Sequence, residues 1–389
     1  MTRPNGGSAS PLLDEIERRI ASSGRITFCE FMELALYHPE HGYYRRKGVK
    51  TGLEGDFSTS SDVSPLFGET IAVQAAELHE LLASDSWQIL ELGGGRGLLA
   101  ADLVRGLERH AGPAREALDR VVLVESSVEL AREQAARLSR EHPSLEIRVA
   151  GRLEELEDRS VRGLVVANEF FDALPVHAFE RTPERLTELW VELDERGGFR
   201  LAPEQISSDA AARLAERYRL CPEPGDRCET CPAIEPLLVE LGRVVDAGAA
   251  IFVDYGHDAG TLGDRAHADG TLVAYSNHRV SEDLLSEPGE RDLTAHVNWS
   301  HLEDAAAVAG WAPAGRVAQG RFLLALGIAE EIAAAASASD PALIARALSA
   351  KALVMPGAGA GGRFEVAAFL RGVAGELRGM GPLTGFGRT

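Results

Sequence analysis

The chain has 389 residues, 45% of them apolar and 26% charged, which is globular composition and excludes a disordered or fibrous chain. Its 60 Asp and Glu outnumber its 40 Lys and Arg, and the resulting net charge of −20 excludes nucleic acid, whose phosphates need a basic footprint, and docking on an anionic membrane. At about 100–200 residues per domain the length suits one large domain or two ordinary ones. The four cysteines, Cys29, Cys221, Cys228 and Cys231, are too few for a disulfide framework. Cys228-Glu-Thr-Cys231 has a metal-type spacing, but no fourth ligand stands near it, so reduced thiols and no metal are expected. The first ten residues are polar and Asp14, Glu15 and Glu17 follow; no run of about 18 apolar residues occurs. The expectation is a cytoplasmic protein without signal or transit peptide and without membrane insertion.

Leu12, Leu13, Ile16 and Ile20 have helical spacing, and a second helix is expected over 28–37 behind a cap at Thr27. Residues 38–68 read as a long irregular segment, yet one that carries Tyr43, Tyr44, Phe57 and Phe67, as an ordered functional loop would. Helix resumes at about 68–83. The pattern then changes. Short apolar strands without alternation are expected at 88–91, 121–124, near 145–149, at 164–167 and at 249–253, with helices between them. Such strands are covered on both faces, which means a mostly parallel, doubly wound α/β sheet. Residues 175–235 form one insertion, with a strand pair over 176–201 turning at Gly197-Gly198, and the loop-rich 257–298 form another. An Ala-rich helical stretch covers 328–353, and a late strand over 363–370 closes the sheet. The expected domains are an N-terminal helical extension over 1–85 that caps the active site, and a catalytic domain over 86–389.

In an open sheet of this kind ligands bind beyond the carboxyl ends of the strands. Four strand ends carry acids here: Glu91, Glu125, Asn168-Glu169 and Asp254. The glycine loop Glu91-Leu-Gly93-Gly-Gly95-Arg-Gly97 lacks the third glycine of a dinucleotide fingerprint, since position 98 is Leu. A leading acid suits a cation better than a pyrophosphate. S-adenosylmethionine (SAM) carries a sulfonium and an ammonium and no phosphate, and Glu125 can accept its ribose hydroxyls. Strand, acid-led glycine loop, helix, strand and acid, in that order, resemble a class I, Rossmann-like SAM-dependent methyltransferase.

Further blocks extend the resemblance over about residues 26–370: Phe31-Met32, Gly42-Tyr43-Tyr44, Gly55-Asp56-Phe57, Ser64-Pro65-Leu-Phe67-Gly68-Glu69, Asn168-Glu169-Phe170-Phe171-Asp172-Ala173-Leu174-Pro175, Asp254-Tyr255-Gly256, Asp292-Leu-Thr294-Ala295-His296-Val297 and Gln319-Gly320-Arg-Phe322-Leu323. In this order they resemble the MidA family, methyltransferases tied to assembly of mitochondrial respiratory complex I. The chain departs from that pattern at Gly94, where the family has proline, and in Gly270–Tyr275, which lacks the family's Asp and Arg. The resemblance implies SAM as cofactor, S-adenosyl-homocysteine as product, and a protein arginine as methyl acceptor, on the model of a complex I subunit. It implies cofactor contacts from Glu91, Gly93, Gly95, Gly97, Glu125, Asp56 and Phe57, and catalytic roles for Asn168, Glu169, Asp172, Asp254 and His296. His38 and His41 read as surface residues. The acids suit a guanidinium, whereas a hydroxyl acceptor would call for a His or Lys base. Two other readings stay open: a small-molecule methyltransferase, and a SAM-binding assembly factor with little turnover. The oligomeric state is not legible.

Overall fold

A computed structural model describes residues 10–45, 58–276, 278–337, 339–356 and 360–382. Its centre is a seven-stranded sheet built from β1 (Trp87–Leu92), β2 (Leu118–Val124), β3 (Glu146–Ala150), β4 (Val161–Asn168), β5 (Val245–Asp254), β6 (Ala312–Ala318) and β7 (Glu365–Arg371). The spatial order is β3-β2-β1-β4-β5-β7-β6. All neighbours are parallel except β7, which runs antiparallel between β5 and β6. The order reverses between β1 and β4, and there the strand ends leave a crevice.

The unbroken apolar runs follow from burial on both sides. Leu90, Leu92, Val165, Phe252 and Phe369 join one core with the helices Phe28–Tyr37, Ile234–Val244 and Trp299–Val308. Ile89, Val121, Leu164, Val166, Ile251 and Val366 join a second core with the helices Leu66–Leu82, Leu98–His110 and Gln319–Ala325. The helix Phe28–Tyr37 starts as expected at Thr27, whose hydroxyl accepts from the Glu30 N–H while the Glu30 carboxylate accepts from the Thr27 N–H.

The insertion over 175–235 is larger than the expected strand pair. His177–Arg181, Leu186–Leu193, Phe199–Glu204 and Arg227–Thr230 form an antiparallel sheet, completed by Ile26–Thr27 from the N-terminal segment. Inside 257–298, Val273–Ser276, Arg279–Ser281 and Asp292–Thr294 make a small sheet of their own. The Ala-rich stretch is two helices, Ile328–Ala336 and Pro341–Val354, with Asp340 capping the second through the Ala342 N–H. Cys221 and Cys228 pack their thiols together in a small core, whereas the Cys231 thiol faces the Pro175 carbonyl, so the three do not converge. No helix among the described residues is long and apolar enough to cross a membrane.

Candidate active site

The glycine loop leaves the end of β1 and closes on the helix Leu98–His110. Gly93, Gly95 and Gly97 all hold positive φ, at 59°, 52° and 71°, which only glycine adopts without strain. Their surroundings differ. A side chain at Gly93 would meet the Phe170 ring, and one at Gly97 would meet the Gln134 backbone, but at Gly95 it would meet none of the described residues within 4 Å. Glu91 is buried beneath the loop, its carboxyl group under Gly94 and bonded to the Ala100 N–H. Burial, with the Glu125 charge nearby, pushes its pKa up to about 8.

Glu125 follows β2. It accepts from the Ser127 N–H at 2.8 Å and from Gln134 Nε2 at 3.2 Å, and Gln134 Nε2 also reaches the Gly95 carbonyl at 2.9 Å. Gln134 therefore ties the glycine loop to the acid of the second strand. It lies in the middle of a helix, and nothing in its local sequence marks it.

Beyond β4 the chain makes no helix. Glu169 takes a left-handed φ of 51°, costly for a side chain with a Cβ, and its N–H bonds the Val253 carbonyl at 2.8 Å. This turn directs its carboxylate inward to accept from the Asn168 side-chain amide at 3.1 Å and the Ser60 N–H at 3.2 Å. Burial, then the Asp172 charge, raises the Glu169 pKa to about 8. Asp172 is buried beside it and bonded to the Tyr255 hydroxyl; burial lifts its pKa to about 6. Asp254 is placed differently. It is fully buried, and its Oδ2 accepts the N–H groups of Phe170, Phe171 and Asp172 at 3.2, 2.9 and 3.3 Å, while Oδ1 accepts the Tyr255 N–H at 2.9 Å. Four backbone donors occupy this carboxylate, so its geometry holds the 170–172 turn; burial and the Asp172 charge push its pKa up against those donors.

His296 belongs to the same neighbourhood through Tyr255, whose ring it meets edge-on at 5.4 Å. Burial, then the nearby His257 and His267, lowers its pKa to about 4. Asp56 and Phe57 lie outside the described residues. Their neighbours do reach the site. Tyr37 donates to the Ala173 carbonyl at 2.9 Å, Arg45 to the Ser126 carbonyl, and Arg96 of the glycine loop pairs with Asp62 at 3.1 Å. Ser60 is fixed in turn by a 2.9 Å bond to Gln319. Tyr37, Ser60 and Gln134 are residues of this neighbourhood that the sequence reading did not single out, and Tyr255 and Gln319 stood in its motif blocks without a role of their own.

Four buried side-chain oxygens around the crevice have no hydrogen-bond partner among the described residues: Glu91 Oε2, Gln134 Oε1, Asn168 Oδ1 and Asp172 Oδ1. Unused acceptors and carboxyl groups around an open glycine turn fit a cationic, hydroxyl-bearing ligand and repel a phosphate. The strand order, the acid-led loop and the acid after β2 together define a class I methyltransferase fold.

The chain belongs to the MidA family of SAM-dependent methyltransferases. A family model described as an S-adenosyl-L-methionine-dependent methyltransferase matches residues 70–317. The human protein named protein arginine methyltransferase NDUFAF7, mitochondrial, is 33% identical, over 77% of this chain and 69% of its own length. The rat protein of the same name is 33% identical over 93% of this chain and 84% of its own. A superfamily member from Burkholderia thailandensis, crystallised with S-adenosyl-homocysteine, superposes with a TM-score of 0.85 at 30% identity, covering 97% of each chain. The chain is thus a SAM-dependent methyltransferase enzyme.

Proposed function

We propose that the methyl acceptor is a protein arginine, received by Glu169 and Asp172. The observation that carries this reading is two buried carboxyl groups side by side beyond β4, both with raised pKa values and with an unpartnered oxygen on Asp172. No salt bridge to either carboxyl group is found among the described residues, although the Arg363 charge acts on Asp172 from farther off, and a guanidinium supplies a cation with planar donors that fit carboxylates. The names of the relatives support the same acceptor. The bound cofactor supplies a methyl group on a positively charged sulfur. Glu169 and Asp172 orient the guanidinium, localise its charge on the nitrogens they touch, and leave one nitrogen in line for the methyl. Asn168 holds Glu169, Asp254 holds the turn, and Tyr255 holds Asp172. Glu91, the glycine loop with Gly93, Gly95 and Gly97, and Glu125 hold the cofactor. The N-terminal 85 residues act as the cap, with Tyr37, Arg45 and Ser60 touching the site from that side; the remainder is the catalytic domain. A respiratory complex I subunit, met in the cytoplasm, is the acceptor the family suggests.

The deciding experiment is transfer of labelled methyl from SAM into lysate, resolved into protein and small-molecule fractions. Label in protein, recovered as methylarginine, is expected. Label confined to small molecules would replace this reading with a metabolite methyltransferase.

Glu125→Ala is expected to weaken SAM binding by about 1.5–3 kcal/mol, the cost of lost charge-assisted hydrogen bonds. In that variant a 2′-deoxy analogue should lose little more affinity, as titration calorimetry would show; additive losses would place Glu125 away from the sugar.

The raised pKa of Glu91 has a sign that can be checked. With a pKa of about 8 its carboxyl group is mostly protonated at pH 7 in the free enzyme. A cation beside it favours the ionised form, so SAM binding releases a proton, and affinity tightens from pH 6 to pH 8. Calorimetry in buffers of different ionisation enthalpy should show this proton release in the wild type and lose it in Glu91→Gln. Equal release in both would assign the proton to another group.

A further inference from the structure

Three histidines of the 257–298 region converge although the sequence scatters them. His257 follows Asp254-Tyr255-Gly256 at the end of β5, and the pairing of Gly256–His257 with Val297–Asn298 brings His296 alongside. His267 comes from the short 3-10 helix Arg265–His267. The ring centroids of His257 lie 4.8 Å from His267 and 5.2 Å from His296, and those of His267 and His296 are 6.1 Å apart. One ring nitrogen from each lies within 4.8 Å of the other two. All three side chains are half-buried, and no carboxylate within ion-pair distance of any of them is found among the described residues.

We propose that His257, His267 and His296 form a binding site for one divalent transition-metal ion of the zinc class. Imidazole nitrogen is a preferred ligand for such ions, and three histidines with a fourth position left to water make a complete donor set. The ligand must be the neutral imidazole. His267 Nδ1 lies 2.9 Å from the Thr261 carbonyl, a contact only an Nδ1–H can make, which leaves Nε2 with its lone pair free to ligate. His296 Nδ1 is buried with no hydrogen-bond partner among the described residues. Zn–N bonds of about 2.0–2.1 Å at tetrahedral angles place ligand nitrogens roughly 3.4 Å apart, so the rings need only swing inward by about 1.5 Å. The ion would fasten three separate segments to one another: the end of β5, the 3-10 helix and the strand before the helix Trp299–Val308. These segments wall the acceptor side, because Tyr255 stands between His296 and Asp172. A metal on His296 also removes it from consideration as a proton acceptor for the substrate. The site stands on its own geometry and does not depend on arginine being the acceptor.

The test uses the full chain, freed of metal by chelation and dialysis, titrated with Co²⁺ and followed by its visible d–d absorption. The expected result is saturation at one equivalent, a dissociation constant in the micromolar range or below, and displacement of the signal by Zn²⁺. His267→Ala should weaken Co²⁺ binding by about 10²-fold or more, and His257→Gln should do the same, giving a second variant if the first fails to fold by circular dichroism. The double variant His38→Ala/His41→Ala removes the other close imidazole pair, whose stacked rings lie 5.2 Å apart, and should bind as the wild type does. No saturable signal in the wild type would overturn the proposal. So would a signal that survives in folded His257→Gln, or one lost in the His38/His41 variant.

Discussion

Glu169→Gln is expected to lower the rate of methyl transfer by about 10²-fold or more while leaving SAM affinity nearly unchanged. The rate loss is the usual scale for removing one electrostatic stabiliser of a transition state. The substitution keeps the shape and the capacity to accept from the Ser60 N–H and to bond Asn168, so the left-handed turn should survive. Only the charge is lost. The proposed SAM contacts are other residues, Glu91, the glycine loop and Glu125, which is why affinity is expected to be spared. The wild-type enzyme should gain kcat/KM for the acceptor as pH rises toward 8, because the Glu169 carboxyl group, raised to about 8 by burial, must ionise to receive the guanidinium. The variant should lose that rise, and alkaline pH should not rescue it, because glutamine has no carboxyl group to ionise. Normal turnover in Glu169→Gln would show that the acceptor needs no charge at this position, and the arginine assignment would fall.

The proposed cofactor half of the site is legible from local signals, apart from Gln134, because most of its residues stand in short contiguous runs. The loop from Glu91 to Gly97 is contiguous, its positive-φ positions are glycines, and the acid after β2 follows an apolar run. The acceptor half depends on contacts between distant segments. Asp254 and Glu169 both read as acids at strand ends, but the donors that turn Asp254 into a backbone anchor come from residues 170–172, across the neighbouring strand. Ser60 meets Glu169 and Gln319 from two remote parts of the chain. The histidines at 257, 267 and 296 share no motif spacing; only the parallel pairing of Gly256–His257 with Val297–Asn298 and the intervening 3-10 helix bring them together.

The fold shows the same division. The five expected parallel strands are present; β2, β4 and β5 carry the apolar runs that burial on both faces leaves, whereas the edge strand β3, Glu146-Ile-Arg-Val-Ala, is buried only at Ala150. β6 escaped notice because Ala312-Pro-Ala-Gly-Arg-Val-Ala has neither alternation nor an apolar run. Its place at the sheet edge tolerates Pro313, and a register shift falls between Pro313 and Gly315. The Ala-rich stretch reads as one helix by propensity, yet Asp340-Pro341 is a start signal that opens a second helix. The inserted sheet takes its fifth strand from Ile26–Thr27, a pairing across the chain that no local pattern carries.

Gly95→Val is expected to abolish measurable SAM binding while the protein remains folded. The three glycines of the loop separate cleanly on this point. A side chain at Gly97 would lie 2.9 Å from the Gln134 Cα, and one at Gly93 would lie 2.7 Å from the Phe170 ring, so substitution at either disturbs the protein itself. No described residue lies within 4 Å of a Cβ at Gly95. On the proposed placement of SAM, a side chain there meets the ligand that glycine allows to approach. Its φ of 52° adds a strain of about 1–2 kcal/mol for any L side chain, which is less than the stability of an ordinary domain. Thermal melting should therefore fall by only a few degrees, whereas Gly97→Val should melt far lower. Gly95→Ala, with a single methyl group, should bind SAM weakly rather than not at all. Calorimetry on the melted-and-checked variants decides the matter. Wild-type SAM affinity in Gly95→Val would mean that the open face of this turn looks away from the cofactor, and the placement of SAM over the glycine loop would have to be given up.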